Sequence, residues 1–211
     1  MTSALVYLLL AAAVSGAGGM ALEMAASRLL LPYYGDSHLI WANLIGLILA
    51  ALTVGYYVGG ILADRRPSVR ALVLLLAASG AWVLVLPVVS RPLLSALQGA
   101  LPVSQVGFIV SSLIGVLLLF APPSFLLGCV SPFVIRLSLP DIASAGTVAG
   151  SVYAVSTVGS IIGTFGSALW LMPSYGLRAT FAVIAVVLLA TAGLGLALPV
   201  RRAASVPQSL G

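Results

Sequence analysis

Gly55 to Arg70 reads GYYVGGILADRRPSVR. An apolar run carrying Gly55 and Gly59 one helical turn apart leads straight into Asp64, Arg65, Arg66 and Arg70, the densest charge in the chain, and a second apolar run follows at once. A short arginine-rich hairpin between two apolar runs is the pattern of a cytoplasmic loop joining two membrane-spanning helices. The fold class expected from it is all-α and polytopic, and every other segment can be oriented from this loop.

Composition agrees. Of 211 residues, 62% are hydrophobic and 6% charged, whereas soluble domains carry about 25% charged residues. The net charge of +5 comes from nine arginines without a lysine. They stand mostly at the ends of apolar runs, so they read as topology signals, and the expected partner is the lipid bilayer and not nucleic acid. A single cysteine, Cys129, excludes an internal disulfide, and with the lone His38 it leaves no basis for a metal site; no cofactor is expected. The first 19 residues lack a basic n-region, so they read as the first span and not as a cleaved signal.

A span needs about 20 apolar residues. Six runs qualify: 4–31, 39–62, 71–89, 106–128, 146–171 and 179–199, giving a transmembrane domain over 1–202 and a tail at 203–211. With the hairpin inside, both termini are cytoplasmic. Arg65, Arg66, Arg70, Arg136, Arg201 and Arg202 then lie inside and Arg28, Arg91 and Arg178 outside, the asymmetry expected of a bilayer protein.

Several runs carry polar or irregular residues. The first contains Glu23, which shares a helix face with Ser15, Gly19 and Ser27 and precedes Arg28. An acid in a span costs on the order of 3 kcal/mol. Glu23 is therefore either a functional charge or a structural group bonded to Arg28 or a neighbouring helix. The first run is too long for a perpendicular span, so it is expected to tilt, to bend at Gly16, Gly18 and Gly19, or to project beyond the bilayer. The third run lacks large polar groups beyond Ser79 and Trp82 and is expected at the periphery. Between Pro92 and Pro102 a short interfacial helix is expected on the outer side. Pro122, Pro123 and Pro132 should kink or break the fourth run, either as a gate or merely to shape packing. The fifth run is saturated with small residues, Gly159, Gly163 and Ser167 forming one edge, and is expected at the centre of the bundle.

There is an internal echo. Thr53, Val54, Gly55 and Gly59 match Thr157, Val158, Gly159 and Gly163; Arg28, Leu29, Leu31 and Pro32 match Arg136, Leu137, Leu139 and Pro140; Arg70 matches Arg178. Three matches in consistent order imply a three-plus-three repeat, inverted in the membrane because each unit has three spans.

Within the hairpin, Gly60, Leu62, Asp64, Arg65 and Arg70 resemble the G-x-L-x-D-R signature between the second and third helices of major facilitator transporters, with Pro67 where that signature has Gly. The same residues also serve simply to cap two helix ends under the positive-inside rule. Across residues 20 to 178, Glu23, Arg28, Leu29, Pro32, Tyr33, Gly35, Trp41, Gly55, Tyr56, Gly59, Gly60, Asp64 and Arg65 resemble the membrane domain of bacterial spermidine synthase-like proteins, and Ser156, Thr157, Gly159, Ser160 and Gly163 fit its later block. The resemblance implies half of a major facilitator fold in a bacterial inner membrane, followed in that family by a cytosolic aminopropyltransferase-like domain. The 211 residues hold no Gly-rich nucleotide turn after a strand and no acidic polyamine site, so catalysis by this chain is not expected. Two roles stay open. One is a non-enzymatic anchoring or accessory module for other membrane subunits or a cytosolic enzyme; the other is a small-solute or polyamine-like cation transporter working as a homodimer.

Overall fold

The computed structural model describes residues 3–100, 104–139 and 141–197. Pro102, Pro140, the end of the sixth expected span, Arg201, Arg202 and the tail at 203–211 lie outside the described residues. Seven α-helices make up most of the described residues: α1 (Ser3–Tyr34), α2 (His38–Arg65), α3 (Val69–Ala100), α4 (Gln105–Leu119), α5 (Ala121–Ser138), α6 (Ala145–Phe165) and α7 (Met172–Ala197). A 3-10 turn, Ile142–Ser144, precedes α6, and a π-helical segment, Gly166–Leu171, joins α6 to α7. Five helical stretches are long and apolar enough to cross a membrane: 3–34, 38–65, 69–100, 121–138 and 145–197, with α4 a shorter apolar helix. Short polar caps start several of them. Ser37 Oγ accepts from Leu39 N–H, Ser104 Oγ from Gly107 N–H and Asp141 Oδ1 from Ser144 N–H, each satisfying one orphan donor of a first turn.

Helix α1 runs without interruption through Gly16, Gly18 and Gly19. At 1.5 Å per residue its 32 residues reach about 48 Å, well beyond a hydrocarbon core of about 30 Å. The glycines serve close approach instead of a bend: a Cβ on Gly16 would strike the Ser156 carbonyl, and one on Gly18 would touch Leu188.

The third helix differs from expectation. It continues through Pro87 and Pro92 to Ala100, so the segment after Ser90 is no separate interfacial helix. Each proline removes one N–H from the ladder, but ending the helix there would strip several carbonyls of partners in an apolar setting, which costs more.

The fourth run does break. Pro122 and Pro123 offer no N–H to Leu118 and Leu119, and the helix is interrupted at Phe120 between α4 and α5. Trp82 of α3 repairs one loss, its Nε1–H donating to Leu119 O at 2.9 Å. Helix then extends through Pro132 to Ser138, ten residues past the expected end at 128.

The fifth and sixth runs, expected to end at 171 and resume at 179, join differently. Helix continues through Pro173, and the true break is Gly176, whose φ of 78° and ψ of 172° lie where a side chain is disfavoured. In the π segment Met172 N–H reaches Ser167 O, a wider turn that gives the Pro173 ring room.

Centre and edge are also exchanged. Helix α6 buries only Val152, Gly159 and Gly163, packs chiefly on α1 and leaves Tyr153, Ile162 and Phe165 exposed. Helix α3, expected outside, buries nine residues including Leu72, Leu76, Ser79 and Val83 and packs on α7 and α5. Small residues mark a tight seam with one neighbour, not a central position. Two such seams hold the bundle. Gly159 and Gly163 lie on the backbone of Ala13 and Ala17 in α1, and Gly55 and Gly59 lie on Phe125, Gly128 and Cys129 in α5. The core between α1, α3, α5 and α7 is filled by Leu22, Leu30, Leu76, Phe120, Phe181 and Leu188.

Candidate functional site: a polar groove between four helices

Two ends of the bundle are tied by polar groups. Arg136 at the end of α5 pairs with Asp64 at the end of α2, Nε to Oδ1 3.2 Å, which brings the start of the arginine-rich hairpin to the same end of the bundle as Arg136. At the opposite end Tyr34 Oη and Ser111 Oγ lie 2.7 Å apart, Asn43 Nδ2 donates to Ser112 Oγ at 2.8 Å and to Ile109 O at 3.3 Å, and Gln98 Nε2 donates to Tyr33 O. Trp41 Nε1 donates to Asp36 Oδ1 at 3.2 Å, holding the turn at Gly35. These bonds fix α1, α2, α3 and α4 against one another where spans enter and leave.

Between the ends, α1, α2, α5 and α6 leave a groove of about 110 Å³. Glu23, Ser15 and Gly19 line it from α1, Tyr56 from α2, Ser124 and Ser131 from α5, and Ser156 and Ser160 from α6. Small residues make this convergence possible. Gly16 lets Ser156 and Ser160 approach α1, and Gly55 and Gly128 let α2 meet α5 backbone to backbone. Many helical hydroxyls among the described residues are occupied by carbonyls one turn back, as in Thr53 to Leu49 O, Thr157 to Tyr153 O and Thr191 to Val187 O. Ser15 and Ser160 are satisfied in the same way by Ala12 O and Ser156 O. The hydroxyls of Tyr56, Ser124, Ser131 and Ser156 make no such bond among the described residues, and neither a hydrogen bond nor an ion pair from them reaches the half-buried Glu23 carboxyl. The groove therefore presents one acid and several free hydroxyls to whatever enters it.

The residues singled out with Glu23 are separated. Ser27 turns its Oγ to Met24 O at 2.8 Å and sits beside Trp41, away from the groove. Arg28 lines a different cavity, near Tyr33 and Arg178. Glu23 and Arg28, five residues apart, point to different sides of α1. Asp64 pairs with Arg136, and Arg65, Arg66 and Arg70 stay on the hairpin surface without an ion pair among the described residues. Gly55, Gly59, Gly159 and Gly163 all lie in helix seams, Ser167 is buried beside α1, and Gly19 faces the groove near Leu127. Pro122 and Pro123 shape the break above the groove while Pro132 is accommodated within α5. Cys129 is buried against Gly59. Among the described residues no three His, Cys, Asp or Glu side chains gather as metal ligands.

The groove's hydroxyls are legible singly as small-residue packing, not as a set. Only the meeting of four helices makes Ser124, Ser131 and Ser156 neighbours of Glu23.

No protein-family model matches the chain, and neither a curated protein nor a solved structure matches it.

Proposed function

We propose that the chain is a non-enzymatic membrane module, built as a three-plus-three inverted repeat like half of a major facilitator transporter, that works by binding another protein across its groove face. The observation that carries this reading is Glu23, a half-buried acid inside a span with no partner in its own chain among the described residues. An ionisable group at membrane depth pairs with something or faces a polar space. A space of 110 Å³ holds about three or four waters at roughly 30 Å³ each, and lies below the roughly 300 Å³ where small-molecule pockets begin. A polar side chain from a second subunit fits that space better than a solute does. The flanking helices suit such a partner: α2 exposes Val54, Tyr56 and Tyr57, and α6 exposes Tyr153, Val158 and Ile161.

The inverted repeat is supported by the seams. The same T-V-G-x-x-x-G pattern seats α2 on α5 and α6 on α1, helices that correspond under the repeat. The resemblance to spermidine synthase-like membrane domains supports a bacterial inner-membrane location with both termini cytoplasmic. It also supports an accessory role beside an enzyme, for which Arg65, Arg66 and Arg70 form a cationic docking loop.

A second reading is favoured by the same acid. Paired with a copy of itself, the module would enclose two grooves and two Glu23 carboxylates, enough to select a small cation. Photo-crosslinking amino acids at Tyr56 and Tyr153, with Leu74 on α3 as the control, separate the two in native membranes. Crosslinks from 56 and 153 to a different polypeptide support the accessory reading. A product at twice the chain mass, together with cation uptake lost in Glu23→Gln, replaces it with transport. No adduct at either position removes the groove-face partner altogether.

A further inference from the structure

We propose that Arg28, Arg91 and Arg178 form a binding site for a phosphate group at the end of the bundle opposite the Asp64–Arg136 pair. The three side chains line one cavity of about 650 Å³, six times the groove and well inside the range of small-molecule pockets, about 300 to 1,000 Å³.

Each arginine reaches this cavity by a feature of the backbone. Arg28 stands on the last turns of α1. Arg91 is carried there by the part of α3 that continues beyond Pro87. Arg178 follows directly on the break at Gly176, which also lines the cavity. The helix that resumes after Gly176 starts here, and the first N–H groups of a helix lack intrahelical acceptors and favour anions. Three of the nine arginines in the chain thus meet in one cavity.

The charge is not balanced from within. None of the residues lining the cavity is acidic, and the ion pair among the described residues, Arg136 with Asp64, is at the other end. Three guanidinium groups around one space repel one another. They are also the side chains whose planar donor forks match phosphate oxygens bidentately. Ser90, Ser95, Tyr33 and Tyr175 add hydroxyls, while Leu29, Pro87 and Phe181 give an apolar wall. This mixture suits a phosphate attached to a less polar body, and the phosphate can come from a phospholipid headgroup or from a soluble compound.

The test uses the full chain purified in mild detergent, far-UV circular dichroism confirming that every variant is folded. Inorganic phosphate is titrated at constant ionic strength against chloride, with thermal unfolding as readout, since a ligand of the folded state raises Tm in proportion to its binding. In parallel, protein reconstituted in phosphatidylcholine containing phosphatidylglycerol is released from the bilayer and its retained lipids are counted by native mass spectrometry. Arg28→Gln, Arg91→Gln and Arg178→Gln are made singly and together, and Arg65→Gln/Arg66→Gln/Arg70→Gln matches the charge change at the other end.

A phosphate-dependent rise in Tm whose half-saturation weakens about tenfold per arginine removed supports the site with a soluble ligand. Retained phosphatidylglycerol that disappears in the triple variant supports it with a lipid ligand. Should the triple variant not fold, the three single variants carry the same comparison, each arginine being exposed. The proposal is overturned if neither probe binds, or if the hairpin variants lose binding as much as the cavity variants do.

Discussion

Trp82 Nε1–H donates to the Leu119 carbonyl oxygen at 2.9 Å, and Leu119 is the acceptor that Pro123 would serve if it had an N–H. A side chain of α3 thus substitutes for a missing backbone donor at the break between α4 and α5. Trp82→Phe keeps the apolar ring and removes the donor. It should cost about 1 to 3 kcal/mol, the penalty of an unsatisfied carbonyl, read by denaturation in mixed micelles. An unchanged midpoint would mean that water takes over the bond.

The α1–α6 seam has almost no tolerance. A Cβ on Gly159 or Gly163 would overlap the Ala13 or Ala17 carbonyl oxygen, whereas nothing lies within 4 Å of one on Gly150 in the same helix. Gly159→Ala should destabilise by about 1 to 3 kcal/mol through overpacking, while Gly150→Ala should be neutral or stabilising by up to about 1 kcal/mol through helix propensity. Equal effects from the two substitutions would show that the seam is not close-packed.

Thiol chemistry can map the groove. Cys129 is 1% exposed and lies against Gly59, so a water-soluble maleimide should leave the folded protein unmodified and react on unfolding. Replacing Cys129 by Ala and introducing Ser156→Cys should give a thiol that labels in the folded state, while Leu76→Cys, at a fully buried position, should not. Protection of Ser156→Cys in native membranes with labelling in detergent would point to a partner lost on extraction.

The Arg136–Asp64 pair is wet, with side chains 45% and 75% exposed. Asp64→Asn should therefore change stability by less than about 1 kcal/mol. Its larger effect should be on topology, because it raises the positive charge of the hairpin. Reporter fusions after Arg70 would measure on which side of the membrane the hairpin lies with and without Asp64.

Much of this protein is legible in its residues alone. Uniform apolar runs, arginines at their ends and glycines one turn apart specify an all-helical membrane-spanning class, and Pro122 with Pro123 locates the break of the fourth run. The tight seams are visible as Gly55, Gly59, Gly159 and Gly163, since only glycine lets two backbones meet so closely. Those features depend on local chemistry: transfer to an apolar medium, a missing N–H, an absent Cβ.

Only the tertiary structure decided which helices lie inside. In a water-soluble helix the buried face is apolar and the other polar, so the sequence announces both. In a bilayer, lipid and protein interior are equally apolar, and a Leu of α3 reads the same whether it meets Phe181 or an acyl chain. That is why α3 proved central and α6 marginal, why the helix ran on through Pro92, and why Glu23 and Arg28, close in sequence, serve two different cavities. The sequence determined that the chain forms helices long and apolar enough to cross a membrane and that the fourth run breaks at its paired prolines; the packing alone decided that Ser124, Ser131 and Ser156 gather around Glu23 and that Arg28, Arg91 and Arg178 converge.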